Sequence, residues 1–554
     1  MEKLKPMLFS NLKHYSKEQF LKDLISGIIV AIIALPLSIA LALASGVTPE
    51  RGIYTAIIAG FIISFLGGSR VQIAGPTAAF ATIVAGIAAQ YGIEGLAMAT
   101  VMAGIILILM GILRMGSLIK YIPYTITTGF TAGIAVTIVV GQIKDFLGLR
   151  IVTDEPLIET VDKLSADLKF IQTVNWQAVL VGIICLLLLI FLPKLTEKIP
   201  ASLIAVLVGI ALVKLFHLQV NTIGDLYEIS NALPSLSLPT FSLSMIEELL
   251  PSAFTIAILA GIESLLSCVV ADGMINSHHR SNMELIAQGA GNIGSALFGG
   301  IPATGAIART AANIKSGGRT PIAGMVHSIV LLLILIVLMP YAALIPMPTI
   351  AAILFMVAYN MSGWRKCLSI LKKAPKSDIL VLILTFGLTV LFDLVVAIEV
   401  NVVLAALLFM KRMSDETVVT GWKYKKEPDE EDNFLKDVPQ NIRVYEVNGP
   451  IFFGAAEKIA AIQTKDFTDC LILRMGSVNA IDATGLHALE TLFDSCEKKK
   501  ITVILSHVNK QPLAAMKKSG LYEKIGADNF CDCIDDALKK GSSLPSTAKK
   551  AVER

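Results

Sequence analysis

The sequence predicts a polytopic α-helical membrane protein of fourteen segments, arranged as two inverted sets of seven, followed by a small cytoplasmic α/β domain. Three observations carry that prediction. Charge is unevenly spread: of the first 412 residues 49 are Asp, Glu, Lys or Arg, about 12%, against 42 of the last 142, about 30%. Soluble proteins run near a quarter, so only the tail has a soluble composition. The first part divides into twelve apolar runs near the ~20 residues that cross a bilayer, and two shorter ones. Each short run follows a Gly/Pro break, and the prolines of the two breaks, Pro76 and Pro302, lie 226 positions apart.

The segments follow in order. Lys3, Lys5, Lys13, Lys17 and Lys22 precede the first run, and no small-residue cleavage site follows them, so no signal peptide is expected. Full-length runs lie at about 23–45, 50–68, 95–114, 120–143, 174–193, 199–216 and 252–274, then at 280–299, 320–339, 341–362, 376–392 and 394–412. The short ones, about 77–90 and 305–316, are rich in Gly, Ala and Thr and become segments 3 and 10. With the N-terminus inside, the inner connections hold fifteen Lys and Arg beyond the N-terminal five, and the outer ones six. The positive-inside rule therefore places both termini, and the tail, in the cytoplasm. The 226-residue offset carries the start of segment 1 to that of segment 8, 50–68 into segment 9, and 95–114 onto segment 11. Seven is odd, so the second set enters the membrane from the opposite side.

Interrupted helices at matching positions of inverted halves point to a transport site. Irregular backbone at membrane depth is tolerated where it is buried in protein or lines a cavity. Two half-helix N-termini meeting at one place concentrate unpaired N–H groups and positive dipole ends, which suits an anion. Thr77 and Thr304 add hydroxyls and Arg309 a full charge. The plainer alternative is a pair of kinks eased by small residues. Glu263 is an acid within an apolar run; such acids are costly and usually functional, the alternative being a structural ion pair with Arg309. Asp272 reads as a helix-end residue, His278-His279 as a polar loop, and His327 as a packed or hydrogen-bonded side chain.

The tail opens with an acidic run, Glu427-Pro-Asp429-Glu430-Glu431-Asp432, read as a linker over 413–437. Strands at 442–447, 470–475 and 501–506 then alternate with helices near 455–463, 484–498 and 511–519, which predicts a small α/β sheet domain over 438–542, with 543–554 as a terminal tail. Net charge is +3 with no basic stripe, which argues against nucleic acid. The seven cysteines form no CxxC pair, and no cofactor or metal spacing, P-loop or nucleophile elbow occurs, so enzymatic function is not expected.

Together, Gly75-Pro76-Thr77, Gly261-Ile-Glu263-Ser264-Leu-Leu-Ser267, Gln288-Gly289-x-Gly291-Asn292 and Gly299-Gly300-x-Pro302 resemble the SulP family of anion transporters, solute carrier family 26 in animals. So does Ala306-Ile-Ala308-Arg309-Thr310-Ala311-x-Asn313. The resemblance spans roughly 20–540. It is strongest to bacterial members that carry four-carbon dicarboxylates, through Pro76-Thr-Ala-Ala-Phe80, Ile143-Lys-Asp-Phe-Leu-Gly-Leu149 and Ala306-Ile-Ala-Arg309. It implies a uracil permease-like fold with a core (segments 1–4 and 8–11) moving like an elevator against a gate (5–7 and 12–14). It places substrate at Ala78, Ala79 and Phe80 with Gly305, Ala306 and Ile307, beside Thr77 and Arg309. Sodium-coupled relatives carry Asp and Thr where this chain has Glu263 and Ser267, so a proton is the expected coupling ion. Asp482-Ala483-Thr484-Gly485-Leu486 opening a helix resembles a STAS domain. Bacterial STAS switches are phosphorylated on a Ser where this chain has Ala483. Thr484 is then read as a helix cap, with modification of its hydroxyl as the alternative, and the domain as scaffold, dimer contact or regulator.

The resulting expectation is a secondary active, proton-coupled carrier of dicarboxylate or sulfate-like anions in the bacterial inner membrane, working as a homodimer. Sodium-coupled bicarbonate or sulfate transport, a nucleobase permease on the same fold, a channel-like anion conductor and a non-transporting scaffold remain the alternatives.

Overall fold

The computed structural model describes residues 4–12, 15–117, 123–152, 159–195, 200–239, 242–391, 394–422, 438–439, 441–464 and 468–545. The acidic run 427–432 and most of the terminal tail lie outside them. The chain forms two compact units, Met1–Val402 and Val403–Arg554. Among the described residues, eight helices are long and apolar enough to cross a membrane.

The fourteen segments appear in the expected order. They are α1 Lys17–Ala44, α2 Pro49–Leu66, α3 and α4 within Ala81–Ile112, α5 Tyr124–Leu147, α6 Trp176–Leu195 and α7 Ala201–Leu215. The second set is α8 Leu243–Ile275, α9 Ser281–Leu297, α10 Ile307–Lys315, α11 Ile322–Ala342, α12 Met347–Ser362, α13 Lys376–Leu391 and α14 Leu394–Glu416. Local chemistry sets many boundaries. Ser16 caps α1 by accepting the Gln19 N–H at 3.1 Å. Pro49 opens α2 at a position with no intrahelical N–H to lose. Gly148 ends α5 in the left-handed conformation. Segments 3 and 4, expected as separate runs, are one continuous stretch bent at Gly92, whose φ of 67° and ψ of −169° only glycine adopts readily.

Packing sorts the first unit into two groups. In one, α4 lies along α9, α9 on α2, α11 on α1 and α2, and α8 on α4 and α10. In the other, α5 lies along α12 and α13, and α12 and α7 pack on α6. The α4–α9 seam is close because it is lined with glycine. A Cβ on Gly104 would lie 2.7 Å from the Gly289 carbonyl oxygen, and one on Gly111 2.7 Å from that of Asn282. Without a hydrophobic drive between helices in lipid, such backbone approach is a main source of packing energy.

The sequence did not reveal the helices at Thr160–Lys169 and Trp364–Lys373, which lie in connections between spans. Nor did it reveal two strands of two residues each, β1 (Ala74–Gly75) and β2 (Thr304–Gly305), which pair antiparallel inside the bundle. Periodicity cannot register elements so short.

The second unit carries a five-stranded sheet in the order β3-β4-β5-β6-β7, with β3 antiparallel and the rest parallel. Strands β4 (Ile442–Asn448), β5 (Cys470–Ser477) and β6 (Thr502–Ser506), with helices α16 (Ala483–Lys498) and α17 (Lys510–Ser519) after α15 (Ala456–Ala460), follow the predicted alternation. Strand β3, Val418–Gly421, falls inside the stretch read as linker and covers the edge of β4. The sheet closes with β7 (Phe530–Cys531), followed by α18 (Ile534–Ser543). Residues inward-facing on β4, β5 and β6, among them Val447, Leu471, Leu473 and Leu505, pack with Leu489 and Leu492 of α16 into one core.

Candidate functional site

The site is built on the two breaks. Ala74 pairs with Gly305 and Gly75 with Thr304, so the extended strands cross antiparallel and a half-helix starts beyond each. A 3-10 turn, Ala78–Phe80, leads into α3, and Ala306 is the N-cap of α10. The N–H groups of Ile307, Ala308 and Arg309 begin α10 and have no acceptor within the helix, the first intrahelical bond running from Thr310 to Ala306 at 2.9 Å. Both strands carry a glycine where a Cβ would collide, on Gly75 with the Arg309 guanidinium and on Gly305 with the Gln72 amide.

Side chains from four helices fix the crossing. From α9, Asn292 holds Ala303 on both sides, accepting its N–H and donating to its carbonyl, each at 2.9 Å. From α8, Ser264 accepts the Gly305 N–H at 3.0 Å and lies 2.7 Å from the Thr304 hydroxyl, which donates to the Ala260 carbonyl at 3.1 Å. From α10, Asn313 donates to the Val71 carbonyl at 2.8 Å, and Thr310 accepts the Ile73 N–H at 3.0 Å. From α1, Ser26 donates to Asn313 at 2.7 Å. The N–H groups of Ile73, Ala303 and Gly305 and the carbonyls of Val71 and Ala303 are thereby satisfied, as membrane depth demands.

The expected site residues fall around this crossing. Ala78, Ala79 and Phe80 are buried, at 5%, 0% and 1% exposure. Ala306 is half-buried, and Ile307 and Ala308 are exposed, so the start of α10 is not covered by protein while Arg309 beneath it is 1% exposed. Gly305 lies in β2, and its N–H is taken by Ser264. Arg309 donates from Nη2 to the Pro76 carbonyl at 3.1 Å, and its Nε and Nη1 have no protein acceptor. Glu263, half-buried on α8, accepts from the Thr77 hydroxyl at 3.0 Å. It makes no ion pair with Arg309; the two address consecutive residues of the first break. Ser267, one turn beyond Glu263, is buried and donates to Thr310 at 3.4 Å. His327 is buried with neither ring nitrogen hydrogen-bonded within the protein. His279 donates its backbone N–H to Asp272 at 2.8 Å and lies 2.7 Å from the same oxygen through its ring.

Sequence reasoning missed two acids that hold this frame. Glu284, in the first turn of α9, is fully buried and accepts from the Gly68 and Ser69 N–H groups and from the Gln72 and Gln288 amides, at 2.8 to 3.1 Å. It ties the connection before β1 to α9. Asp23 on α1 accepts from Tyr15, Gln19, the Arg319 N–H and the Thr320 N–H and hydroxyl, joining α1 to the α10–α11 turn. The signal for Glu284 is its place at a helix N-terminus with Gln288 one turn on.

Residues 20–385 match the sulfate permease family and 433–537 the STAS domain. The chain belongs to the sulfate permease family. It is 40% identical, over 95% of its length and 98% of the relative's, to the Bacillus subtilis protein named "Putative sulfate transporter YvdB". It is 31% identical, over 93% and 94% of the two chains, to the bicarbonate transporter BicA of Picosynechococcus. The transmembrane domain of a cyanobacterial BicA superposes with a TM-score of 0.61 at 29% identity, over 71% of this chain and 98% of that one. Murine Slc26a9 in its inward-facing state shares the fold at TM-score 0.86 and 19% identity, over 98% of this chain and 94% of that one. This chain is thus a multi-pass membrane transporter of anions rather than an enzyme, with a 7+7 repeat and a C-terminal STAS domain.

Proposed function

We propose that the protein is a secondary active transporter taking up a sulfate-like or dicarboxylate anion across the bacterial inner membrane, with both termini cytoplasmic and a proton as the coupled ion. The observation that carries this reading is the antiparallel pairing of Ala74–Gly75 with Thr304–Gly305. It brings the start of α10 and the 3-10 turn into α3 to one crossing, with the buried Arg309 cation against it. Free N–H groups, dipole ends and a guanidinium together offset the desolvation of an anion. Thr77, Ala78, Ala79, Phe80, Ala306, Ile307 and Arg309 would surround it. The names of the relatives, sulfate and bicarbonate transporters, agree with a small oxyanion.

Transport follows an elevator scheme in this proposal. The α1–α4 and α8–α11 group, which packs as one body and bears both breaks, moves past the α5–α7 and α12–α14 group. Glu263 carries the proton, because its carboxylate touches the first break through Thr77 and protonation changes that contact directly. Ser267, turned to Thr310, is poorly placed to complete a sodium shell. The STAS domain, with Ala483 where switch domains carry Ser, acts as scaffold or homodimer contact.

Uptake of labelled sulfate, succinate and bicarbonate into proteoliposomes, with and without an inward proton gradient, tests substrate and coupling together. Glu263→Gln should lose the gradient dependence and keep exchange of internal for external substrate. Unchanged gradient dependence in a normally assembled variant would move the coupling to another group.

A further inference from the structure

The helix Trp364–Lys373, between α12 and α13, is used by nothing described above. It begins where Gly363, at φ 55°, turns the chain out of α12, and none of its residues is buried. Four of its five apolar residues, Trp364, Cys367, Leu368 and Leu371, recur at helical spacing on one face. Arg365, Lys366, Lys372 and Lys373 share the rest with Ser369 and Ile370, Lys376 follows, and no acid occurs between 361 and 377. The Arg365 guanidinium sits 5.3 Å over the Trp364 ring, a packing suited to a polar–apolar boundary. An amphipathic basic helix of this kind lies in the plane of a bilayer interface, here on the face that the positive-inside count assigns to the cytoplasm.

Beneath its apolar face is a cavity of about 430 Å³. Trp364, Leu368 and Leu371 line it from the helix, Val136 from α5 and Phe386 from α13. Its walls are almost wholly apolar, and Val136, Leu368 and Phe386 are each more than a third exposed, so it opens to the surroundings of the bundle. An apolar slot beneath five cations, at the level of lipid headgroups, matches one chemistry.

We propose that this cavity is a binding site for one acidic phospholipid of the cytoplasmic leaflet, an acyl chain lying between α5, α13 and the interfacial helix and the phosphate held by the Lys and Arg cluster. Charge complementarity selects this occupant. A second copy of the chain would bring five like charges against five, and a zwitterionic lipid would leave the cluster uncompensated. Bound there, the lipid links α5, α12 and α13 to the leaflet.

Trp364 is a built-in reporter, since the chain has three tryptophans. In the full-length Trp176→Phe/Trp422→Phe protein in phosphatidylcholine liposomes, brominated phosphatidylglycerol should quench Trp364 at a mole fraction roughly fivefold lower than brominated phosphatidylcholine. The preference should shrink in high salt and vanish in Lys366→Gln/Lys372→Gln/Lys373→Gln. Val136→Phe, which fills the slot, should weaken quenching by both lipids. Native mass spectrometry of the unaltered protein with added phosphatidylglycerol should retain one lipid per chain. Equal quenching by the two lipids would reduce the site to ordinary lipid contact and overturn the proposal. Absence of quenching by either would mean that protein covers the cavity, and would overturn it equally.

Discussion

Among the described residues Arg309 is the largest fully buried side chain, and its guanidinium has one acceptor among them, the Pro76 carbonyl. A buried donor without a partner costs about 1–3 kcal/mol, a cost that an anion bound at the proposed site would offset. Arg309→Ala should weaken anion binding by ~1.5–3 kcal/mol, the worth of a charge-assisted hydrogen bond. Arg309→Lys should restore only part, because Lys lacks the planar fork. Ala306→Leu sets a branched side chain at the N-cap of α10 and should abolish uptake sterically, regardless of substrate charge. Isothermal titration with sulfate, beside uptake assays, separates the effects; wild-type affinity in both assembled variants would place the site elsewhere. A second residue gives a pH test. Asp167, in the helix Thr160–Lys169 between spans, is nearly fully buried, with Oδ2 unpartnered. Burial raises its carboxyl from 3.8 to about 6, against the opposing pull of Lys144 and Lys163. Its pKa is higher folded than unfolded, so ionisation opposes folding: the penalty is absent below about 4, accrues between the two values and is complete above 6. Asp167→Asn should therefore raise Tm at pH 7–8 and leave it unchanged near pH 3.5. A Tm gain independent of pH would assign the effect to packing instead.

Among the elements, the half-helices were readable because Gly-Pro punctuation interrupts an apolar run, and their pairing because two interruptions share one spacing. What they pair through was not readable. β1 and β2 contribute two residues each, and their register depends on Asn292, Ser264 and Thr310, which reach them from three other helices. The α4–α9 seam is similar: glycines are visible in both runs, but only packing shows which face each other. Gly104→Val should destabilise the core by ~1–3 kcal/mol through overpacking, since its Cβ would meet Ile293 at 2.6 Å. Gly141→Ala, in α5 with nothing within 4 Å of the added atom, is the control and should hold or raise stability. Thermal unfolding in detergent reads both, and equal melting of the two variants would contradict the seam.

For the whole molecule, the division into two units follows from composition: a chain that is 12% charged can fill a bilayer, and one that is 30% charged folds in water. Every group at the crossed strands precedes residue 320, so substrate binding should survive removal of the second unit's sheet. The cut belongs after Glu416 rather than at 438, because β3 pairs with β4 and a later cut would leave an open strand edge. The truncated protein should bind anion with unchanged affinity, even if turnover falls. Loss of binding by a monodisperse truncated core would show that the soluble domain completes the site.

The sequence by itself determined the membrane class, the order of the fourteen segments, the inverted repeat, the alternation of the soluble domain and the place of the two matched helix breaks. Each of these is written in local composition or in a spacing that recurs, which a single chain displays without being folded. Only the tertiary structure decided the partners. It turned Ser267 to Thr310 and Glu263 to Thr77, set Arg309 under Pro76, and gave Glu284 and Asp23 their shells of donors. Apart from the local donors Gln288, Gln19 and Tyr15, those contacts join residues 40 to almost 300 positions apart, and a buried polar group accepts whichever donor the packed helices bring to it.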